Sequence, residues 1–95
     1  MISSFYELDS FLMERNYVKK SRGAEVEYAK AMKVEGSGIT ISASLSLIPN
    51  EAIDCYETVR RSVSMDGSWD FEDFSAIGRL ECSFWQLCNE LSKTF

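Results

Sequence analysis

The feature that most constrains the fold is a strict alternation of apolar and hydroxyl side chains in the middle of the chain. The apolar positions are Ile39, Ile41, Ala43, Leu45 and Leu47, and a serine or threonine stands at every position between them. Successive side chains of a strand point to opposite faces of a sheet. The period of two therefore predicts a half-buried strand over residues 38–48, with one apolar and one hydroxyl face.

The preceding segment alternates in a similar way and predicts the partner strand over residues 24–34. Its apolar positions fall on every second residue with one exception, Lys30: they are Val26, Tyr28, Met32 and Val34. A Gly-Ser-Gly sequence supplies the turn of the hairpin. Because two strands alone are marginally stable in water, we expect residues 17–20 to add a short third strand.

Three further segments have the apolar spacing of helices. Residues 4–15 predict an N-terminal helix that begins with a capping box at Ser4. Residues 50–64 place most of their apolar side chains on one side of a helix and most of their charges opposite, so they predict a second helix. Residues 70–92 predict a long third helix, in which Gly78 is expected to mark a close approach to the sheet.

These elements predict one small α+β domain over residues 1–95. The simplest assembly packs the N-terminal helix and the two C-terminal helices on one face of a small antiparallel sheet. The other face of the sheet, with its serine and threonine side chains, is then left uncovered. The hydrophobic content of 45% provides enough apolar surface for a core in a chain of this length.

The three cysteines and the lack of long apolar runs predict a cytoplasmic protein. Cys55, Cys82 and Cys88 are an odd number, which favours buried free thiols in a reducing compartment over disulfides. No apolar run approaches the length of a membrane span, and the N-terminal residues lack the basic and apolar regions of a signal peptide. We expect no contact with a membrane.

The chain contains no histidine, and this narrows the chemistry open to it. The commonest general base, the Ser-His and Cys-His pairs and the commonest transition-metal ligand are all excluded. Residues 66–70 begin like a cation-binding loop, but Trp69 stands where an oxygen ligand is needed. We therefore expect a non-enzymatic protein with no catalytic residues, no metal and no cofactor. An enzyme that uses only carboxylates, tyrosine or cysteine is the least favoured alternative.

The net charge of −5 lies entirely in the C-terminal half of the chain. Residues 1–48 hold six basic and six acidic side chains, whereas residues 49–95 hold four and nine. A nucleic-acid-binding surface must be basic to neutralise phosphates, so we expect no direct contact with nucleic acid. A protein partner with a basic surface, for example a surface that binds nucleic acid, fits the charge distribution better.

Acidic and aromatic residues interleave over residues 65–74, where aromatics could anchor a partner and acids could orient it. The candidate contacts are Glu51, Asp54, Asp66, Trp69, Asp70, Glu72 and Asp73. In the structural alternative Trp69 packs inward and the acids cap the last helix. By class and composition, the chain fits inhibitors or adaptors of a partner protein, such as immunity proteins and phage-encoded inhibitors of the anti-CRISPR type.

A second interpretation is a structural or assembly module whose partner is another copy of the chain. The hydroxyl face of the predicted hairpin is flat and carries little charge, so it could pack against a second copy, and a sheet edge could accept a strand. A homodimer that buries Thr40, Ser42, Ser44 and Ser46 is the expected form of this alternative.

Overall fold

The computed structural model describes residues 2–68 and 74–93. Within these ranges, two helices pack against one four-stranded antiparallel sheet. The elements, in chain order, are α1 (Phe5–Glu14), β1 (Val18–Arg22), β2 (Glu25–Lys33), β3 (Gly38–Asn50), a single 3₁₀ turn (Glu51–Ile53), β4 (Cys55–Ser68) and α2 (Phe74–Lys93). Each strand pairs with the next one along the chain, so the sheet order is β1-β2-β3-β4. The α+β class with an antiparallel sheet is confirmed.

The N-terminal helix is confirmed within one residue at each end. The Ser4 hydroxyl accepts a hydrogen bond from the Glu7 N–H at 3.2 Å, which satisfies one of the unpaired donors of the first turn. The helix ends before Asn16, whose φ of +65° lies in the left-handed region. The side of α1 that faces the sheet is apolar and buried, with Phe5, Leu8 and Leu12.

The predicted hairpin is confirmed as β2 and β3. The two strands pair from Val26 opposite Leu47 to Lys33 opposite Thr40. Every apolar position of the alternating segment in β3 is buried: Ile39, Ile41, Ala43, Leu45 and Leu47. The period of two therefore indicated both the strand and the face that it buries.

The third strand exists, but it runs two residues beyond the predicted 17–20. β1 pairs with β2 from Val18 opposite Ala29 to Arg22 opposite Glu25. Ser21 and Arg22 continue the pairing because the turn is tighter than expected and starts only at Gly23, which adopts a left-handed φ of +61°.

The helix predicted over residues 50–64 is wrong, and the sheet has one C-terminal helix rather than two. The chain forms a 3₁₀ turn, reverses at Asp54 with a φ of +48°, and then runs back along β3 as β4. Pairing with the open edge of β3 along its thirteen residues outweighs the local apolar spacing. That spacing was coincidental, since Ile53 and Val59 are both exposed.

The pairing of β3 with β4 contains one irregularity. Arg60 lies opposite Ser46 and Thr58 lies opposite Leu47, so Val59 is the extra residue of a β-bulge. The strand is regular beyond the bulge, up to Gly67. A Cβ on Gly67 would overlap the carbonyl oxygen of Gly38, so glycine permits the close approach of the two strands there.

The helices cover one face of the sheet and form the core with it. The buried contributions of α2 to that core are Leu80, Leu87 and Leu91. The predicted start of this helix at residue 70 lies outside the described residues. The expectation for Gly78 is wrong: an added Cβ there would meet no atom within 4 Å, because Gly78 lies on the exposed side of α2.

The opposite face of the sheet carries small side chains and is covered by no described helix. Residues directly opposite each other share a face, so Ala29, Ser44 and Ser62 form one row across β2, β3 and β4. The hydroxyls of Ser44 and Ser62 are 2.7 Å apart and hydrogen bonded. We call this the hydroxyl face.

Candidate protein-binding surfaces

The structure does not bring the predicted acidic contacts together in the part of the chain that it describes. Glu51 begins the 3₁₀ turn, whereas Asp66 lies near the far end of β4. At about 3.3 Å per residue, the strand between them separates the two by roughly 35 Å. The remaining candidate residues, Trp69, Asp70, Glu72 and Asp73, lie outside the described residues.

Asp54 is held in a structural role at the start of α1. Its carboxylate accepts hydrogen bonds from the Ser4 hydroxyl at 2.6 Å and from the Tyr6 N–H at 2.9 Å. Its backbone carbonyl accepts a third from the Phe5 N–H at 3.3 Å. The hydrogen bond from Ser4, followed by that from Tyr6, holds the pKa of Asp54 below its ordinary value. Asp54 therefore fixes the turn between β3 and β4 to the start of the first helix.

A polar network joins α1 to the sheet. The Tyr28 hydroxyl donates to the Asp9 carboxylate at 2.5 Å, and the Lys19 ammonium lies 2.8 Å from the same oxygen. Partial burial alone would raise the pKa of Asp9, but the hydrogen bonds from Lys19 and Tyr28 outweigh it and lower that pKa. Burial, reinforced by the bond to Asp9, raises the pKa of Tyr28.

A second network of the same kind joins α2 to the sheet. The Tyr17 hydroxyl donates to Glu90 at 2.8 Å, and the Lys30 ammonium lies 3.4 Å from the other carboxylate oxygen. Glu90 is only 8% exposed, so both partners compensate for the burial of its charge. Burial, with the bond to Glu90, raises the pKa of Tyr17. Lys30, the one exception in the alternation of β2, thus has a buried partner on α2.

In both networks the polar groups form hydrogen bonds and ion pairs with each other and so connect a helix to the sheet. Each tyrosine has a raised pKa, which disfavours loss of its proton at neutral pH. Among residues 2–68 and 74–93, no group of three cysteine or carboxylate side chains is arranged to hold a metal ion. These networks therefore stabilise the fold, and the candidate binding sites lie on the surface.

Two open clefts have no lining residue in common. One, of about 780 Å³, lies beside the β1–β2 turn and the start of β4, and its lining includes Glu51, Cys55 and Glu57. The other, of about 750 Å³, lies between α1 and α2, and its lining includes Phe11 and Trp85. Volumes of this size can hold a small molecule. Neither cleft combines a nucleophile with a hydrogen-bonded base among the described residues.

The cysteines are free, as expected, but they are not all buried. Cys82 is exposed on α2, and Cys55 and Cys88 are half-buried. The expectation of buried thiols is therefore wrong for Cys82, and Cys55 and Cys88 meet it only in part. It lies on the polar side of α2, away from the leucines that face the sheet. In the described part of the chain, neither helix has both the length and the apolar character needed to cross a membrane.

The two edges of the sheet differ in how they are protected. β1 is five residues long, and three of those residues are Lys19, Lys20 and Arg22. A short edge strand rich in cations is a common protection against the addition of another strand. β4, at the other edge, is fourteen residues long and none of its residues is buried. The edge of β4 is therefore the more open of the two.

Along β4 the outer backbone edge faces away from the sheet. No strand among the described residues pairs with that side. Val59 is 51% exposed and Met65 is 43% exposed, so apolar side chains accompany the open backbone groups. A long exposed edge of this kind is a template for an additional strand.

The regular segment beyond the bulge, residues 60–66, has two distinct faces. Pairing with β3 places its even-numbered residues on the hydroxyl face: Arg60, Ser62, Ser64 and Asp66. The odd-numbered residues lie on the face that the helices cover: Arg61, Val63 and Met65. Arg60 and Asp66 form no ion pair with any described residue.

Comparisons with protein-family models, with curated proteins and with solved structures gave no match for this chain. The edge of β4 was missed by the sequence reasoning, although a signal for it was present. Ser62 and Ser64 alternate with Val63 and Met65, which is the pattern of a strand with one hydroxyl face. That alternation spans only a few residues, and the apolar spacing before it favoured a helix.

Proposed function

We propose that the protein is a non-enzymatic binding protein that inhibits or adapts a partner protein, and that the partner adds a strand to the edge of β4. The observation that carries this proposal is a fourteen-residue edge strand without a single buried residue. In strand addition, main-chain hydrogen bonds supply affinity and alternate side chains supply specificity. Those side chains are the ones that residues 60–66 present.

The acidic residues of the C-terminal half have a supporting role in this proposal. Glu51 and Glu57 line the same cleft next to the start of β4. Carboxylates beside an open edge attract a partner with a basic surface and orient it before the strand is added. Glu51 and Asp66 remain candidate contacts in this proposal, whereas Asp54 serves the fold.

The experiment places a lysine in each edge strand and measures partner retention by the tagged protein. Met65→Lys puts a charge on the exposed edge of β4, in the manner of natural edge protection. Val18→Lys is the matched control, because Val18 is a similarly exposed apolar residue, at 59%, on the opposite edge strand. The captured proteins are an untagged copy of the chain and proteins of a native-host extract.

We expect Met65→Lys to reduce capture at least about tenfold, whereas Val18→Lys captures as much as the wild type. Circular dichroism and thermal unfolding check that both variants are folded. If Met65→Lys retains its partner fully, or if both lysines reduce capture equally, the edge of β4 is not the binding surface.

A further inference from the structure

We infer that the strand added at the edge of β4 comes from a second copy of the same chain. The two β4 strands pair antiparallel about a two-fold axis at Val63 and join two four-stranded sheets into one of eight. This inference rests on the proposed function, because it concerns the same edge: a second copy covers β4 until a partner with a basic surface displaces it. It also moves the expected homodimer contact from the hydroxyl face to the sheet edge.

Symmetry restricts which registers are open to such a pair. A two-fold axis normal to the sheet places the hydroxyl faces of both copies on the same side. Directly opposite residues share a face, so within residues 60–66 an even-numbered residue must lie opposite an even-numbered one. Every register centred between two residues is excluded by this requirement.

Charge selects one of the remaining registers. With Val63 on the axis, Arg60 lies opposite Asp66 of the second copy, and the symmetry repeats the pair. Within residues 60–66, registers centred on Arg61, Ser62, Ser64 or Met65 pair neither Arg60 nor Asp66 with an opposite charge. Arg60 and Asp66 form no ion pair with a described residue. The register at Val63 gives each of them a partner of opposite charge in the second copy.

The apolar side chains fit the same register. Val63 is half-buried on the helix-covered face of β4, and it would meet Val63 of the second copy on the axis. Met65 would meet the aliphatic part of Arg61 of the second copy. On the hydroxyl face, Ser62 would meet Ser64 of the second copy. Across the two β4 strands, apolar surface thus meets apolar surface, and hydroxyl groups meet hydroxyl groups.

The regular part of the strand is long enough for this pairing. The bulge at Val59 lies outside residues 60–66, and Gly67 lies outside them at the other end. The helices of both copies would lie on the same side of the joined sheet. The hydroxyl faces would then form one continuous surface, and the Lys-rich β1 strands would become the two outer edges.

The first test exchanges the two charges and follows dimerisation by sedimentation equilibrium. Arg60→Asp and Asp66→Arg each replace two attractive pairs with two repulsive ones, so each should weaken the dimer by about tenfold or more. The double variant restores opposite charges in the reversed sense. We expect it to return the dissociation constant to within about threefold of the wild type.

The second test reads the register by cross-linking, in a chain with Cys55, Cys82 and Cys88 replaced by serine. Val63→Cys places two thiols opposite each other on the axis, within reach of a disulfide. Val59→Cys is the control, because its two copies would lie roughly 26 Å apart along the paired strands. We expect mild oxidation to cross-link the first variant at least about tenfold faster than the second.

Three results would overturn the inference: a chain that stays monomeric up to millimolar concentration, a dimer in which the double charge variant is not restored, or equal cross-linking at both positions. The failure of the inference can be told from the failure of the proposed function. If the wild-type chain is monomeric but Met65→Lys no longer captures a host protein, the edge of β4 is still the binding surface. Only the second copy as the occupant of that edge is then contradicted. Circular dichroism of each variant confirms that the fold is retained.

Discussion

β3 and β4 are nearly equal in length and pair with each other along the whole of β3, yet they differ in almost every other respect. β3 has a strand on each side, and helices cover its apolar face, where five alternate side chains are buried. β4 has one neighbouring strand among the described residues, and none of its own residues is buried. The comparison shows that backbone pairing and a few partly buried side chains, such as Tyr56 and Val63, can hold a long strand in place without a fully buried residue. A strand held in that way keeps one edge for a partner.

The largest difference in the free energy of unfolding is expected between alanine substitutions at two residues that lie directly opposite each other, Ile41 on β3 and Met65 on β4. Ile41 is fully buried, so Ile41→Ala should lower the free energy of unfolding by about 2–5 kcal/mol through lost burial and the cavity it leaves. Met65 is 43% exposed, and Met65→Ala should cost less than about 1 kcal/mol. Urea unfolding at one fixed protein concentration measures both. Equal losses would mean that β4 is as buried as β3.

A smaller difference is expected between two tyrosines, one on an inner strand and one on the open edge strand. Tyr28→Phe removes a hydrogen bond to the charged Asp9 carboxylate and should cost about 1.5–3 kcal/mol. Tyr56→Phe removes a bond to the neutral carbonyl of Ile2 and should cost about 0.5–1.5 kcal/mol. Both are measured by the same urea unfolding experiment. A larger loss of unfolding free energy for Tyr56→Phe would mean that the edge strand depends more on its tyrosine hydrogen bond than the inner strand does.

The smallest expected effect is the pH dependence of the free energy of unfolding that arises from the turn between β3 and β4. Asp54 has a folded-state pKa below its ordinary value of 3.8. Its ionised form therefore stabilises the fold above that value, and the stabilisation is lost as the pH falls through the folded-state pKa. Asp54→Asn should flatten the acid side of the stability profile, measured as the free energy of unfolding against pH.

Ser4→Ala is the companion variant, because it removes the hydroxyl that contributes most to the lowered pKa. It should flatten the profile in the same direction and by less. An acid profile that is unchanged in Asp54→Asn would show that the capping of α1 by this carboxylate contributes nothing to stability.

The parts of the fold that could be predicted from the sequence are the ones that bury a periodic face. β3 alternates because one of its faces lies against the core, and α1 and α2 place their leucines against the same core. The opposite holds for β4: an exposed edge strand needs no apolar face, so its sequence has no reason to alternate along its length. The apolar residues of the segment 50–64, such as Ile53 in the 3₁₀ turn and Val59 in β4, fall at helical spacing by coincidence.

The candidate site was less predictable because its parts are joined by pairing rather than by sequence. Asp54 meets Ser4 across fifty residues, which no local pattern indicates. Arg60 and Asp66 lie on the same face of the sheet, and this follows only from the register of β4. The net charge indicated which half of the chain carries acids, but it could not show that Glu51 and Asp66 lie at opposite ends of a strand.

In a single copy of the chain no described strand pairs with the outer edge of β4, and in the dimer a second copy closes that edge. Amide hydrogen exchange over residues 60–66, measured below and above the dissociation constant of the dimer, tests this closure most directly. The amides of β3 serve as the internal reference. We expect the outward-pointing amides of β4 to exchange rapidly at low concentration and to become protected at high concentration, while those of β3 stay protected throughout. Protection of β4 that is the same at both concentrations would contradict the account.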